Sequence, residues 1–312
     1  MPDKIATREA YGKALVSLGA ENPNVVVLDA DLAKSTKTIE FKKQFPERFF
    51  DFGVAEQNMI GTAAGLAAAG KVPFCSTFAV FAAGRAFDQI RQSIAYTRLN
   101  VKICASHAGI TVGEDGSSHQ SVEDIALMRA LPNMTVFVPA DAVETVCAVK
   151  AAAAIEGPVY VRLGRAPVPV LHGEDFVFHP GKAVVLRQGS DAAIIATGIM
   201  VAAALDAAEV LEQEGIKARV LDIHTIKPID VDAVVQAAKE TGAVVTAEEH
   251  NIIGGLGSAV AEVLGENHPV PLKRVGIRDT FGESGKPAEL LEKYGLTPAH
   301  IVSAVKHVLT RK

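Results

Sequence analysis

One acidic residue, Glu56, lies where an acidic side chain is costly. The sequence predicts a short strand over Phe49–Phe52 and a small-residue helix over Gln57–Ala69, closed by Gly70. Glu56 falls at the corner between them, with no basic residue nearby in sequence. A carboxyl group facing apolar neighbours there would hold a proton near neutral pH and could act as an acid or base. The alternative, commoner on position alone, is a surface glutamate that offsets the helix dipole.

A long polar loop, residues 106–120, follows a predicted strand. Glycines free its backbone, and His107, Asp115 and His119 present hydrogen-bonding groups that suit a polyol. These three side chains could also ligate a metal ion, but no fourth ligand recurs at the usual short spacing. We therefore predict no metal site in this chain, and solvated loop residues remain the alternative to a polyol site.

Two further groups of residues could contact a ligand. Phe78 and Phe81, three positions apart, could form an aromatic wall for a flat heterocycle, although such pairs more often belong to the core. Arginine offers a planar fork that matches phosphate oxygens. A phosphate clamp could therefore form from residues that would each, taken alone, be surface residues: Arg8, Ser35, His107 and Arg165.

Helix and strand patterns alternate along the chain, which predicts right-handed crossovers and mostly parallel sheets. The fold class is α/β, with two doubly wound domains over residues 1–165 and 190–312. Between them, residues 166–189 lose periodicity and are predicted to be an extended linker. Two local predictions are a helix over Thr36–Phe45 capped by Ser35, and a helix over Arg85–Arg98.

The strand ends of the first domain carry most of the candidate residues. Ligands of doubly wound sheets gather beyond the carboxyl ends of the strands. We therefore expect one edge of the first sheet to bring together Asp29 and Asp31, Glu56, Thr77 and Phe78, His107, and Arg162 and Arg165.

Composition excludes several classes of protein. Hydrophobic residues make up 49% of the 312 residues and aromatic residues only 5%, so small aliphatic side chains must build the core. A net charge of −5 without a basic block argues against nucleic acid or an anionic membrane as a partner. The N-terminus has no secretory pattern, the Ala/Gly stretch 61–70 is too short to span a bilayer, and the three cysteines are widely spaced. A soluble cytoplasmic protein is expected.

Taken together, these segments resemble transketolase, specifically its pyrimidine-binding and C-terminal domains. The resemblance runs from Ile5–Gly12 nearly to the C-terminus. It passes through the segment around Glu56 and through Cys75–Phe81, Arg85–Gln89, Gly113–Gly116 and Ser284–Leu290.

The resemblance implies roles for single residues. Glu56 would contact N1′ of the thiamin diphosphate pyrimidine and favour the tautomer that takes the proton from thiazolium C2. Phe78 and Phe81 would line the pyrimidine pocket, Asp31 would approach the thiazolium side, and His119 would lie over the cofactor and donor. Asp115 would contact the C2 hydroxyl of the donor. The family's sugar-phosphate contacts match Arg8, Ser35, His107 and Arg165.

Two departures from the family pattern change what the resemblance implies. The Gly-Asp-Gly sequence and downstream Asn that hold Mg²⁺ and the diphosphate are missing, and Gly84 stands where some transketolases place Tyr. The chain is therefore expected to be one subunit of a split transketolase, a transferase of the pentose phosphate pathway. A separate N-terminal subunit would hold Mg²⁺ and the diphosphate, and self-association of this chain would give a heterotetramer.

Four alternatives stay open: the matching half of 1-deoxyxylulose-5-phosphate synthase, a 2-oxoacid dehydrogenase beta subunit, a specialised split transketolase that acts on an unusual ketose, and a non-catalytic regulatory homologue. Ser106 and His107, together with Arg8 and Ser35, favour transketolase, because a ketose-phosphate donor needs polyol and phosphate contacts. The intact set of Glu56, Asp115, His107 and Phe81 argues against a homologue without catalysis.

Overall fold

The computed structural model describes residues 3–312 and contains fourteen strands. They are β1 (Lys4–Ala6), β2 (Val25–Asp29), β3 (Phe49–Asp51), β4 (Val72–Phe78), β5 (Lys102–Ser106), β6 (Thr135–Phe137), β7 (Val159–Arg162), β8 (Pro167–Pro169), β9 (Val184–Arg187), β10 (Ala192–Ala196), β11 (Ala218–Asp222), β12 (Thr225–Lys227), β13 (Val244–Asn251) and β14 (Leu272–Ile277).

Helices cover both faces of the sheets. They are α1 (Thr7–Glu21), α2 (Ala33–Thr36), α3 (Ile39–Gln44), α4 (Glu56–Ala68), α5 (Phe87–Gln89), α6 (Asp124–Ala130), α7 (Ala142–Ala154), α8 (Met200–Gln213), α9 (Val231–Thr241), α10 (Leu256–Asn267), α11 (Pro287–Lys293) and α12 (Pro298–Leu309). None of the helices within residues 3–312 is both long and apolar enough to cross a bilayer.

Two mostly parallel sheets organise the fold, as the α/β prediction required. The first has seven strands in the order β12-β6-β7-β5-β4-β2-β3, and only β12 runs antiparallel to its neighbour. The second has five strands in the order β14-β13-β10-β11-β9, with β9 antiparallel. Inner strands such as β2 and β10 are buried along their whole length and are aliphatic except for Asp29 at the end of β2, because helices cover both faces.

Strand pairing joins segments that are far apart in sequence. β8 and β9 lie within residues 166–189, and β8 pairs with β1 at the start of the chain. β12 follows the second sheet's β11 in sequence but adds to the edge of the first sheet beside β6. The two halves of the chain are therefore joined by backbone hydrogen bonds as well as by packing.

The predicted helix over Thr36–Phe45 is wrong. Two short helices, α2 and α3, replace it, separated by Lys37 in the left-handed region at φ 71°. Ser35 lies inside α2 rather than before a helix. The buried Asp29 carboxylate accepts the Thr36 hydroxyl at 2.7 Å, which bends the chain around the end of β2.

The helix predicted over Arg85–Arg98 is also irregular. Wide helical turns at Phe81–Arg85 and Ile90–Ala95 flank the short helix α5. Wide turns of this kind occur frequently at functional sites. Here the first of them places Phe81 and Arg85 together at the end of β4.

Candidate active site

Glu56 is the first residue of α4 and is 1% exposed, which rules out a surface glutamate. Its Oε1 accepts a hydrogen bond from Arg85 Nη1 at 2.8 Å. Its Oε2 is buried and has no hydrogen-bond partner among residues 3–312. No basic residue is near Glu56 in sequence, but the fold brings Arg85, 29 residues away, to it as a partner. One carboxylate oxygen is thus fixed, and the other is free to bind a ligand.

An aromatic wall lies beside this ion pair. The Phe78 and Phe81 rings stack with centroids 5.8 Å apart and planes 13° apart, and the Arg85 guanidinium lies 4.4 Å from the Phe81 centroid. His107 stacks on Phe78 at 3.8 Å, and His119 meets Phe81 edge-on at 5.5 Å. Phe78 is buried while Phe81 is half-buried. The wall offers a flat apolar face with imidazole groups at its rim, an arrangement suited to a heterocycle.

His107 joins the aromatic wall to a basic group. Its Nε2 lies 3.5 Å from Arg8 Nη1, and its Nδ1 lies 2.9 Å from Ser106 Oγ. Burial, together with the positive charges of Arg8 and Arg165, lowers the pKa of His107 to about 3. The ring is therefore neutral near pH 7 and can accept or donate a hydrogen bond to a substrate hydroxyl.

The four residues predicted to clamp a phosphate are brought together in part. Arg8 donates to the Ser35 carbonyl at 2.8 Å, so Ser35 contributes its backbone. Burial lowers the pKa of Arg8, and the nearby charge of Arg165 lowers it as well. Arg165 donates to the Val112 carbonyl, and its Nη1 lies 3.7 Å from Asp115 Oδ2. Two neighbouring guanidinium groups favour an anion between them.

Asp31 and Asp115 occupy the exposed margins of the site. Asp115 faces solvent in the polar loop, beside Arg165. Asp31 follows β2 with φ at 62°, and its N–H donates to Asp51 Oδ1 at 3.1 Å. Its contacts therefore tie it to the end of β3 rather than to the aromatic wall.

The C-terminal half of the chain shapes the polar loop, which sequence reasoning missed. The buried Glu249 carboxylate accepts the Thr111 N–H at 2.7 Å, and Gln120 Nε2 donates to the Glu283 carbonyl at 2.9 Å. Arg162 binds Asp124 at 2.9 Å and the Glu249 carbonyl at 2.9 Å. Nothing in the local sequence pattern marks these pairs, because each joins residues at least 38 positions apart.

Comparison with known proteins gives one consistent family. The family model for the transketolase pyrimidine-binding domain matches residues 3–170, and the model for the transketolase C-terminal domain matches residues 181–301.

Individual relatives match over nearly the whole chain. The 6-deoxy-6-sulfo-D-fructose transketolase subunit SqwH of Clostridium sp. (strain MSTE9) is 50% identical over 98% of this chain and 95% of that protein. Transketolase of Homo sapiens is 40% identical over 99% of this chain, which spans only 50% of the human protein. A solved structure described as split gene transketolase, inactive beta4 tetramer, superposes with a TM-score of 0.93 at 63% identity, covering 98% of this chain and 99% of that one.

Proposed function

Because the chain belongs to the transketolase family, we propose that it is one subunit of a thiamin-diphosphate-dependent enzyme that moves a two-carbon ketol unit between phosphorylated sugars. The observation that carries this proposal is Glu56. Its carboxylate is buried at a helix start, Arg85 holds one oxygen, and the other oxygen is unpartnered within residues 3–312. The family assignment favours transketolase over the synthase and dehydrogenase alternatives.

The residues present fit the pyrimidine half of thiamin diphosphate. The stacked Phe78 and Phe81 offer a face for its ring, and Glu56 Oε2 offers a buried acceptor for a ring nitrogen. Bound thiamin diphosphate supplies the nucleophilic carbon and the electron sink for ketol transfer. Within the described residues, the cluster of histidine and carboxylate groups able to hold a metal ion lies on other elements, at Glu144, His172 and Asp222. We therefore assign Mg²⁺ and the diphosphate to a separate N-terminal subunit.

Each side chain of this chain has a proposed task. Glu56 shares a proton with the ring nitrogen at Oε2, while Arg85 prevents the carboxylate from rotating. The aromatic wall excludes water and sets the plane of the ring. His119 and the neutral His107 offer hydrogen bonds to donor hydroxyls, and Asp115 does so from the loop.

Arg8 and Arg165 bind the anionic end of the sugar, and the Ser35 backbone orients Arg8. Asp31 remains the residue proposed for the thiazolium side. Binding the remote phosphate positions the ketose for reaction, so loss of either arginine should affect the reacting end of the substrate as well.

A sulfonated ketose is a second candidate donor, favoured by the 50% identity to the sulfofructose transketolase subunit. Phosphate and sulfonate both present three oxygens to arginine, but a phosphate monoester carries about −1.5 to −2 charges at neutral pH, whereas a sulfonate carries one. The ratio of kcat/KM for a ketose 6-phosphate and the matching 6-deoxy-6-sulfonate distinguishes the two donors. A preference for the sulfonate would replace the phosphorylated donor in the proposal.

The test is reconstitution with a subunit that carries the Gly-Asp-Gly sequence. We expect ketol transfer only when both chains, thiamin diphosphate and Mg²⁺ are present. Calorimetry on the isolated chain should show weak cofactor binding. Tight Mg²⁺-dependent binding by the isolated chain would contradict a split site, and an inactive complex that still binds cofactor would support a regulatory homologue.

A further inference from the structure

A second polar cluster, separate from the candidate active site, is buried between the two halves of the chain. Glu144 lies in the first turn of α7, His172 lies between β8 and β9, and Asp222 ends β11. Their exposed fractions are 0%, 8% and 0%. One ligand atom from each lies within 4.8 Å of those of the other two, and His172 Nε2 is 3.9 Å from Asp222 Oδ2. Three distant segments thus place polar atoms at one point in the interior.

Four atoms of this cluster are without hydrogen-bond partners in the described part of the chain. They are Glu144 Oε1, His172 Nε2 and both carboxylate oxygens of Asp222. An unpaired buried polar atom costs about 1–3 kcal/mol, and more when it is charged. Four such atoms facing one another would be costly unless a positive species lies between them.

Asp141 orients His172 so that its Nε2 faces the other unpartnered atoms of the cluster. Its Oδ2 accepts the backbone N–H groups of Leu171 and His172 at 2.6 and 2.8 Å, and it lies 3.1 Å from His172 Nδ1. Its Oδ1 accepts the Glu144 N–H at 2.8 Å as the cap of α7. A carboxylate that holds Nδ1–H leaves Nε2 as a free lone pair, which is how metal-bound histidines are commonly oriented.

We propose that Glu144, His172 and Asp222 form a binding site for one divalent transition-metal ion, with Zn²⁺ as the best match. Two carboxylates and a neutral imidazole carry two negative charges, which a divalent ion balances. The four unpartnered atoms supply four donors if Asp222 binds with both oxygens. Imidazole in the donor set favours zinc and its neighbours over Mg²⁺ and Ca²⁺, which prefer oxygen ligands.

The proposed site differs from the sequence-based expectation, which gave this chain no metal. It also differs from the Mg²⁺ assigned to the partner subunit, because none of its residues contributes to the wall around Glu56. All three ligands are buried, so the ion has no open position for substrate and its role is structural. It ties α7 of the first domain to the segment after β8 and to β11 of the second sheet.

Protons, rather than a metal ion, are the alternative species that could occupy this cluster. Burial raises the pKa of Glu144, and the negative charge of Asp222 raises it further; burial likewise raises the pKa of Asp222. Asp141 raises the pKa of His172 against the effect of burial. Protons shared among these groups would satisfy the same atoms without any metal. The decisive measurement is therefore metal content rather than activity.

The experiment uses the full chain without an affinity tag. Chelator-treated protein is loaded with Zn²⁺ or with Co²⁺ and freed of excess metal. Elemental analysis then gives the metal content, and visible absorption reports the coordination of Co²⁺. We expect one ion per chain, tetrahedral Co²⁺ bands, and a lower Tm after chelation. Glu144→Gln and His172→Asn should each lower the bound metal by ~10-fold or more.

A matched control separates this site from surface histidines. His307→Asn alters an exposed histidine of α12 and should leave metal content unchanged. Folded wild-type protein that retains no Zn²⁺ or Co²⁺ would overturn the proposal in favour of shared protons. Equal metal content in the wild type and the two cluster variants would overturn it as well. If both variants fail to fold, the Co²⁺ spectrum of the wild type decides the matter, and octahedral bands of water-bound Co²⁺ would contradict the site.

Discussion

At the scale of single residues, the candidate active site depends on how two oxygens of one carboxylate differ. The Arg85 side chain, which is 46% exposed, holds Glu56 Oε1 through a hydrogen bond, while Oε2 is buried and has no partner among residues 3–312. The sequence was enough to locate Glu56 at a strand-to-helix corner, because strand and helix periodicity meet there. It could not reveal Arg85 as the partner, because the wide helical turn that carries Arg85 has no periodic signature.

We predict that Glu56→Gln lowers ketol transfer by the reconstituted enzyme by ~10²-fold or more, because an amide cannot take up or give back a proton in place of the carboxylate. Glutamine has nearly the same size, and Arg85 can remain solvated, so assembly should be unchanged. Steady-state kinetics and sedimentation velocity measure the two effects. Glu47→Gln, at a side chain that is 70% exposed, is the control. Near wild-type turnover of Glu56→Gln would refute the proposed role.

His107 yields a prediction about acid stability. Its pKa is lowered to about 3 in the folded protein, chiefly by burial, whereas an unfolded histidine takes a proton near pH ~6.5. The stability that it contributes is therefore complete above pH ~6.5 and is lost as the pH falls towards 3. Between pH ~7.5 and ~5, this loss amounts to about 1–2 kcal/mol.

We expect His107→Asn to lose less unfolding free energy than the wild type over this pH range. Urea unfolding at several pH values measures the difference. Burial also lowers the pKa values of His224 and His250 to about 4, so the variant should keep part of the acid sensitivity. His307→Asn, at an exposed position, should match the wild type. Identical pH profiles for His107→Asn and wild type would show that His107 is not the titrating group.

At the scale of elements, the aliphatic strands and the longer helices followed from periodicity alone. The strand predicted over Phe49–Phe52 is β3, and the helix predicted over Gln57–Ala69 is α4, each displaced by at most one residue at either end. The failures occur where a buried polar group or a distant partner decides the backbone. Asp29 breaks the helix predicted after β2, and β12 is defined only by pairing with β6. Local patterns carry neither kind of information.

The backbone of the polar loop after β5 depends on one glycine, Gly109, which lies against a distant buried carboxylate. Gly109 has φ 80° and ψ −173°, a region that side chains strongly disfavour, and a Cβ there would lie 2.2 Å from the Glu249 carboxyl carbon. We predict that Gly109→Ala costs about 1–3 kcal/mol of unfolding free energy. It should also raise KM for the donor, because the loop carries His107 and Asp115.

Gly265→Ala is the matched control for this prediction. Gly265 lies in α10, and no atom of residues 3–312 outside its own helix comes within 4 Å of an added Cβ. Alanine there should stabilise the protein by up to about 1 kcal/mol and leave KM unchanged. Denaturant unfolding and donor kinetics on both variants provide the measurement. If Gly109→Ala were as stable as the wild type, Glu249 would not fix this loop.

At the scale of the whole molecule, the candidate site is assembled from both halves of the chain. The first half of the chain supplies the aromatic wall and Glu56, and the second half anchors the polar loop through Glu249 and Glu283. The mostly parallel direction of the strands in each sheet was predictable, since alternating strands and helices lead to parallel sheets. The junction was not, because it consists of buried long-range contacts, such as the hydrogen bond from Arg162 to the Glu249 carbonyl, and of long-range strand pairs.

Exposed apolar side chains around the strand-to-helix corner are the surface through which we predict that this chain self-associates. Phe50 and Val54, on either side of the strand-to-helix corner, are 40% and 72% exposed. Tyr96, after the wide turn that packs against α4, is 80% exposed. Apolar surface of this kind marks interaction sites.

We predict that Val54→Asp weakens self-association, because a carboxylate buried in an apolar interface without a partner costs about 2 kcal/mol or more, which is roughly 30-fold in the dissociation constant. Sedimentation equilibrium on the isolated chain measures this constant. Val177→Asp is the control, since Val177 is 63% exposed but lies in the segment between the two halves. Because Val54 is two residues from Glu56, loss of the interface should also disturb the candidate active site. The activity of the reconstituted variant should therefore fall more steeply on dilution than that of the wild type. An unchanged dissociation constant for Val54→Asp would place the interface on another face of the molecule.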